Sequence, residues 1–431
     1  MTKTQKTISF SIPKEVRGVV LMLQNAGFEA YLVGGCVRDM LLGIPPKDYD
    51  ITTNATPEQI IPLFPKTFYE NSYGTVGVVT CGDELGIPCV DETVKIVEVT
   101  PYRLESTYSD NRHPDSVSWS SNIEDDLKRR DFTCNAIAYN PVTCEMVDLY
   151  GGEQDLENKL IKAVGDPDTR FGEDALRLMR AVRLACQLDF DIESVTRESV
   201  DKNSELLKTI SRERVRDEFV KLIMTDYPMR GLVLMKETGL LEYVVPELLQ
   251  GIGVEQNQAH HFDVWEHNLR TLQHSADKKW PLHVRLSAIF HDISKPETRR
   301  FSREKRDYTF YGHDVVGGRV TREIMERLRF PKELTEKVSM FVRWHMFFSD
   351  TEQITISAVR RLITNVGKEN IWELINLRIC DRVGTGRPKE EPYRLRMYEA
   401  MVEQALQDPI SLKMLKTDGK RIMDVTQETP G

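Results

Sequence analysis

The sequence predicts an α/β head over about the first 150 residues, followed by an all-helical neck, body and tail. Three observations predict it. Runs of β-branched residues crowd before Gly151-Gly152, strand signals almost vanish after it, and 431 residues exceed what one compact core organises. Pro13 opens a helical pattern with Val16, Val20 and Leu23 on one face, stopped near Gly27. Ala30–Val33 reads as a buried strand, and Thr75–Thr80 and Val94–Val99 as further strands. The polar stretch Thr100–Trp119 reads as a long loop, of a length that is usually functional or disordered. From Asp155 onward helices are expected, broken at Gly165-Asp-Pro167, Gly239, Pro246, Gly251–Gly253, Lys295-Pro296 and Pro331.

Composition narrows the class. A 40% hydrophobic and 29% charged chain fits a soluble globular protein, and no run of about 20 apolar residues spans a membrane. No apolar signal core follows Met1, and the seven cysteines are scattered without a C-x-x-C pair. A disulfide framework or cysteine-based zinc site is therefore not expected, and a reducing cytoplasmic setting fits. The net charge of −9 weighs against nucleic acid unless basic residues are segregated, and clusters exist at Lys128–Arg130, Arg177/Arg180/Arg183 and Arg212/Arg214/Arg216.

Chemistry concentrates in Gly34-Gly35-Cys36-Val37-Arg38-Asp39 and the following Asp48-Tyr49-Asp50. On a strand, residues two apart face the same way, so Asp48 and Asp50 are expected to converge on one ion. Oxygen ligands suit Mg²⁺, which takes its remaining ligands from water and substrate phosphates. Gly34-Gly35 lets the backbone approach a phosphate, and Arg38 adds a forked donor. D-x-D alone is common by chance; after G-G-x-x-R at this separation it is not.

This segment resembles the catalytic signature of the class II tRNA nucleotidyltransferase and bacterial poly(A) polymerase family, within the polymerase-β-like superfamily. Four more segments follow in the family's order: Leu127-Lys-Arg-Arg-Asp-Phe-Thr-Cys-Asn-Ala136, Asp148–Gly152 with Asp155-Leu156, Gly172-Glu-Asp-Ala-Leu-Arg177 and Ser211–Glu218. The resemblance implies two-metal nucleotidyl transfer, with Asp48 and Asp50 as metal ligands and Glu98 as a third carboxylate. It implies Gly35, Arg38 and Arg130 as nucleotide contacts. Asp174 and Arg177, helix neighbours at i, i+3, would read the base, with Arg180 and Arg183 further along the same helix. A carboxylate accepting from an exocyclic amine beside a guanidinium donating to a ring acceptor suits C and A but not U and G. The implied partners are CTP, ATP and a tRNA 3′ end, extended by CCA or by its terminal A.

Four of nine histidines fall in order with two aspartates: His267, His291-Asp292, His313, His345 and Asp381. The series resembles the HD phosphohydrolase signature, whose mixed imidazole and carboxylate ligands suit Mn²⁺, Co²⁺, Ni²⁺ or Zn²⁺. The body is then either a phosphohydrolase acting on 2′,3′-cyclic phosphate or 3′-phosphate ends, or a scaffold gripping tRNA. The expected division is a head at 1–150, a neck at 151–225, a body at 226–385 with its HD part at about 263–385, and a tail at 386–431. Leu412–Gly419 and Thr429–Gly431 resemble the start of a tail element whose later helices are missing. The rivals are bacterial poly(A) polymerase, whose G-R-R-F-R-type stretch has no counterpart here, a CC-only enzyme, an HD phosphohydrolase with a degenerate head, and a non-catalytic RNA-binding protein.

Overall fold

The structure is a computed structural model, and it describes residues 9–69, 74–82, 87, 91–105, 117–257, 261–347, 354–386 and 390–407. The chain divides into two compact units. One runs to Phe219 and takes in Leu234–Tyr243; the other takes Val220–Val233 and the chain from Val244 onward.

In the first unit, α1 (Lys14–Asn25) follows Pro13 and buries Val16, Val19, Val20 and Leu23, the expected 3.6-residue stripe. The chain then turns at Gly27 into β1 (Ala30–Val33). Next come α2 (Gly35–Leu41), β2 (Asp50–Thr53), α3 (Pro57–Ile60), β3 (Thr67–Tyr69), β4 (Val76–Val79) and β5 (Ile96–Pro101). They are followed by β6 (Arg103–Glu105), β7 (Val117–Trp119), α4 (Ile123–Lys128), β8 (Ile137–Asn140) and β9 (Glu145–Asp148). Seven of these strands form one sheet in the order β3-β4-β5-β2-β1-β8-β9. All neighbours are antiparallel except β2 and β5, whose parallel register sets Asp50 beside Glu98.

Two expectations need correction here. Asp48 is not on a strand: β2 begins at Asp50, and Asp48 lies in the bend before it. Pro45 and Pro46 just upstream lack N–H donors, and the ladder to β5 starts only at the Asp50–Glu98 pair. The stretch 100–119 is not loop throughout, because Arg103 pairs with Trp119 and Leu104 with Ser118 at its base. Its middle, 106–116, lies outside the described residues.

The first unit continues with α5 (Gly152–Glu157), β10 (Leu160–Ile161), α6 (Pro167–Glu173), α7 (Leu176–Leu188), β11 (Asp191–Ile192), α8 (Ser194–Lys202), α9 (Arg212–Ile223), α10 (Pro228–Glu237) and α11 (Leu241–Val244), of which α9 and α10 run across the division between units. Asp166 caps α6 by accepting from Thr169 N at 2.9 Å, with Pro167 at the first helical position. The short β10–β11 pair is parallel.

The second unit contains α12 (Val264–Asp277), α13 (Leu282–Phe290), α14 (Lys295–Thr298), β12 (Arg300–Ser302), β13 (Asp307–Thr309), α15 (His313–Arg327), α16 (Lys332–Trp344), α17 (Ile356–Val366), α18 (Ile371–Gly384) and α19 (Tyr393–Gln407). Phe341, Val359, Leu374 and Tyr398 bring α16 to α19 into one core. The β12–β13 hairpin, like the short β10–β11 pair, departs from the helical expectation.

Two close helix approaches build this unit's polar centre. A Cβ on Gly384 would lie 2.1 Å from Thr271 Oγ1 and 3.1 Å from the His267 carbonyl oxygen, so only glycine lets α18 sit this near α12. On α15, a Cβ on Gly318 would meet the Arg343 Cβ of α16 at 3.1 Å. Gly384→Ala overpacks the first contact and is expected to cost about 1–3 kcal/mol of stability. Denaturant midpoints check this, and metal analysis should show less metal bound through His267.

No helix among the described residues is long and apolar enough to cross a membrane. Cys81 is disulfide-bonded, a link that the cysteine spacing did not announce; its partner lies outside the described residues. So do His113, His260 and the tail segments from 408 onward.

Candidate functional sites

The head's site forms where β1 hands over to α2. Gly34 takes a φ of 80°, which favours glycine, and a Cβ there would lie 3.1 Å from Arg130 Nη1 and 3.7 Å from Asp50 Oδ2. The turn thus leaves a narrow space between a carboxylate and a guanidinium. A cleft of about 220 Å³ opens there, lined by Asp50, Glu98, Thr75, Thr100, Arg103, Arg129 and Arg130. Burial pushes the Asp50 carboxyl up to about 6, Glu98 and Asp48 push the same way, and Arg130 opposes them. Asp50, with the Glu98 and Asp48 carboxylates near enough to act on it, offers oxygen donors of the kind Mg²⁺ favours.

The other head residues are held by partners that sequence reasoning did not assign. The buried Arg38 donates through Nε and Nη2 to Asp39 Oδ1 (2.8 and 2.7 Å) and through Nη1 to Asn135 Oδ1 (2.8 Å). Asn135 in turn donates to Asp131 Oδ1 at 3.2 Å, and Arg180 grips Asp131 Oδ2 at 2.6 Å. A continuous relay therefore links the neck helix α7 to the glycine turn. Arg130 donates to Asp126 Oδ2 at 2.9 Å, and it also lines the cleft.

Asp126 is fully buried. Burial alone would push its carboxyl up, but Arg129 and Arg130 outweigh it and hold it at about 2. The unfolded chain takes up its proton first, near 3.8, so this pairing stabilises the fold above that pH. The contribution, on the order of 2 kcal/mol, is lost as pH falls from about 4 to about 2. Urea midpoints across that window should fall more steeply for the native chain than for Asp126→Asn.

The base-reading segment departs from expectation. Asp174 and Arg177 are not neighbours on one helix, because α6 ends at Glu173 and Asp174 adopts extended backbone angles. Asp174 instead accepts from Leu176 N at 3.1 Å and from both terminal nitrogens of Arg214, at 3.2 and 2.7 Å. Arg177 bonds Glu173 at 2.5 Å and the Arg129 carbonyl oxygen at 3.0 Å. Arg183 is buried against Glu218 at 2.5 Å, away from Asp174 as its helical position implies. Of these partners, Arg214 was visible as a member of a basic cluster and of the segment Ser211–Glu218, with no role assigned to it.

In the second unit all six expected ligands are buried and meet. Two groups form: His267, His291 and Asp381, and Asp292, His313 and His345. His291, His313 and His345 each place Nδ1 within 2.6–2.8 Å of the carbonyl oxygen three residues back, which fixes the ring and turns Nε2 inward. The Nε2 atoms then approach in pairs, His267 to His291 at 3.0 Å and His313 to His345 at 3.3 Å. Asp292 joins the groups: Oδ2 lies 3.2 Å from both His267 and His291, and Oδ1 lies 3.3 Å from His313 and 3.6 Å from His345. Although burial opposes it, His291 and Lys295 hold the Asp292 carboxyl well below the usual range, and Arg378 does the same for Asp381. Imidazole pairs bridged by an ionised carboxylate fit transition-metal binding.

Three family models match the chain. Residues 30–162 match the poly A polymerase head domain, 189–251 the probable RNA and SrmB-binding site of polymerase A, and 264–384 the HD domain. A CCA-adding enzyme of Lactobacillus helveticus is 45% identical over 227 residues, 52% of this chain and 54% of that protein. One of Geobacillus thermodenitrificans is 42% identical over 232 residues, 54% of each. The chain thus spans about half the length of the curated relatives it matches. The fold aligns with the Bacillus stearothermophilus CCA-adding enzyme in complex with CTP at a TM-score of 0.70 and 27% identity, covering 97% of this chain and 88% of that one. The chain thus carries a poly A polymerase head domain at residues 30–162 and an HD domain at 264–384, and it shares its fold with a CCA-adding enzyme.

Proposed function

We propose that the chain is a tRNA nucleotidyltransferase that adds CCA, or its final A, to a tRNA 3′ end from CTP and ATP. The observation that carries this reading is the cleft in which Asp50 and Glu98 lie in register beside Arg130, with the turn 129–131 after α4 tied to α7. In the reaction the RNA 3′-oxygen attacks the α-phosphorus, the bond to the β-phosphate breaks, and pyrophosphate leaves. Asp48, Asp50 and Glu98 would hold Mg²⁺, which supplies charge neutralisation at the phosphoryl group and lowers the pKa of the attacking hydroxyl.

Gly35 and Arg38 receive the triphosphate, Arg38 being oriented by Asp39 and Asn135. Asp174, aimed by Arg214, accepts from the exocyclic amine of C or A, and Arg177 donates to the adjacent ring acceptor. Arg180 and Arg183 support this surface from α7 through Asp131 and Glu218. The setting is cytoplasmic, and the working division is the head, neck, body and tail given above.

The convergence of six HD residues supports a second activity, metal-dependent hydrolysis of terminal RNA phosphates, with Mn²⁺, Co²⁺, Ni²⁺ or Zn²⁺ at the paired groups. The test of the main reading offers tRNA ending at the discriminator base, at C and at CC, with each nucleotide alone. Incorporation of CTP and ATP but not UTP or GTP is expected. Extension of the CC-ended substrate alone identifies an A-adding enzyme, and long A tracts on arbitrary RNA overturn the assignment in favour of poly(A) polymerase.

A further inference from the structure

We infer that the β12–β13 hairpin is a docking element for single-stranded RNA that leads a chain end to the HD ligands. The inference rests on the reading of the body as acting on RNA ends. The hairpin stands in the chain between His291-Asp292 and His313, so HD ligands bracket it on both sides. From Arg299 to Tyr311 there are five Arg or Lys against one Glu and one Asp, a net of +3 in a chain whose total is −9. Charge of that sign, segregated on one element of an acidic protein, is the electrostatic footprint of a phosphate backbone.

Aromatic residues interleave with the charge. Phe301 is 59% and Tyr311 74% exposed. They are held in place. The Arg299 guanidinium lies 3.5 Å from the centre of the Tyr308 ring, and Phe301 meets the same ring edge-on at 5.5 Å. Lys305 donates to the Tyr311 hydroxyl at 2.8 Å. Rigid exposed rings flanked by cations are stacking platforms for unpaired bases, which a duplex does not present.

A cavity of about 890 Å³ connects this element to the chemistry. Lys305, Tyr308 and Tyr311 line it together with Asp292, His313 and Asp381. Its volume is near the top of the roughly 300–1,000 Å³ range of small-ligand pockets, enough for a nucleotide and part of its neighbour. Arg300, Arg303 and Arg306 are exposed on the hairpin but do not line the cavity, so they suit phosphates further along a strand. A mononucleotide would leave them unused.

The test uses the full chain in EDTA and an unstructured 12-nucleotide RNA carrying 4-thiouridine near a 3′-phosphate end. Photocross-links mapped by mass spectrometry are expected within Arg299–Tyr311. Arg300→Glu, Arg303→Glu and Arg306→Glu together should weaken binding tenfold or more, and should reduce the salt slope of log K by about 2. Phe301→Ala with Tyr311→Ala should weaken it by a similar factor at unchanged salt slope. Both variants should keep wild-type CTP and ATP addition and wild-type metal content, which separates this inference from the readings of the head and of the HD ligands. Cross-links confined to residues before Val220, unchanged binding in both variants, or equal affinity for a mononucleotide would overturn it. Hydrolysis of the 3′-phosphate after Mn²⁺ addition is scored separately: cross-links at the hairpin without hydrolysis retain the docking site and remove only the phosphohydrolase reading.

Discussion

Asp50→Asn is expected to abolish the proposed nucleotide addition and to leave the fold intact. The loss should exceed the roughly 10–100-fold effect of disturbing a residue that only supports a metal ligand, because Asp50 is itself proposed as the ligand. The reasoning starts from the sheet. Parallel pairing sets Asp50 beside Glu98, Asp48 adds a third carboxylate from the preceding bend, and burial pushes the Asp50 carboxyl up to about 6. Arg130 opposes that crowding of like charge. An amide of the same shape relieves the repulsion, so thermal stability in EDTA should equal or exceed that of the native chain. The stabilisation by added Mg²⁺ should shrink. A protein that merely misfolded would lose stability in EDTA as well, so calorimetry beside the activity assay distinguishes the two. Surviving addition would refute the metal role of Asp50.

Asp292→Asn is expected to weaken metal binding at both candidate groups at once, whereas His345→Ala should affect only the group it belongs to. Asp292 is the one HD residue whose two oxygens face different imidazole pairs, Oδ2 toward His267 and His291 and Oδ1 toward His313 and His345. It also carries the buried Lys295, whose Nζ lies 2.5 Å from Oδ2 and 2.6 Å from Gln256 Oε1. Truncation to Ala would leave that ammonium uncompensated, at about 3–5 kcal/mol, and would confuse metal loss with unfolding. The Asn variant keeps the shape and a partner oxygen, so metal content by elemental analysis is its clean readout. Native metal content in Asp292→Asn would contradict a bridging role.

Much of this architecture is legible in local pattern. The stripe Val16, Val20, Leu23 behind Pro13 and the stop at Gly27 define α1, and the apolar run Ala30–Val33 defines β1. The HD ligands are legible by residue type and order. Their division into His267, His291, Asp381 and Asp292, His313, His345 is not, because it depends on glycines at helix crossings, Gly384 against Thr271 and Gly318 against Arg343. Asp174 shows a second limit. Its segment reads as continuous helix, but Arg214, forty residues on, draws the carboxylate out and the backbone breaks there. Asp48 shows a third, since a strand needs a partner as well as a pattern, and the ladder begins two residues later. The relay Arg180–Asp131–Asn135–Arg38 lay within quoted motifs, yet its connectivity is tertiary and no spacing encodes it.

The most direct measurement is a crystal structure of the chain with Mg²⁺ and a non-hydrolysable CTP analogue. The account predicts the triphosphate between the Gly34-Gly35 turn and the Asp50–Glu98 pair, and the cytosine edge within hydrogen-bond distance of Asp174 and Arg177. A triphosphate bound away from those carboxylates, or a base that touches neither Asp174 nor Arg177, would contradict it.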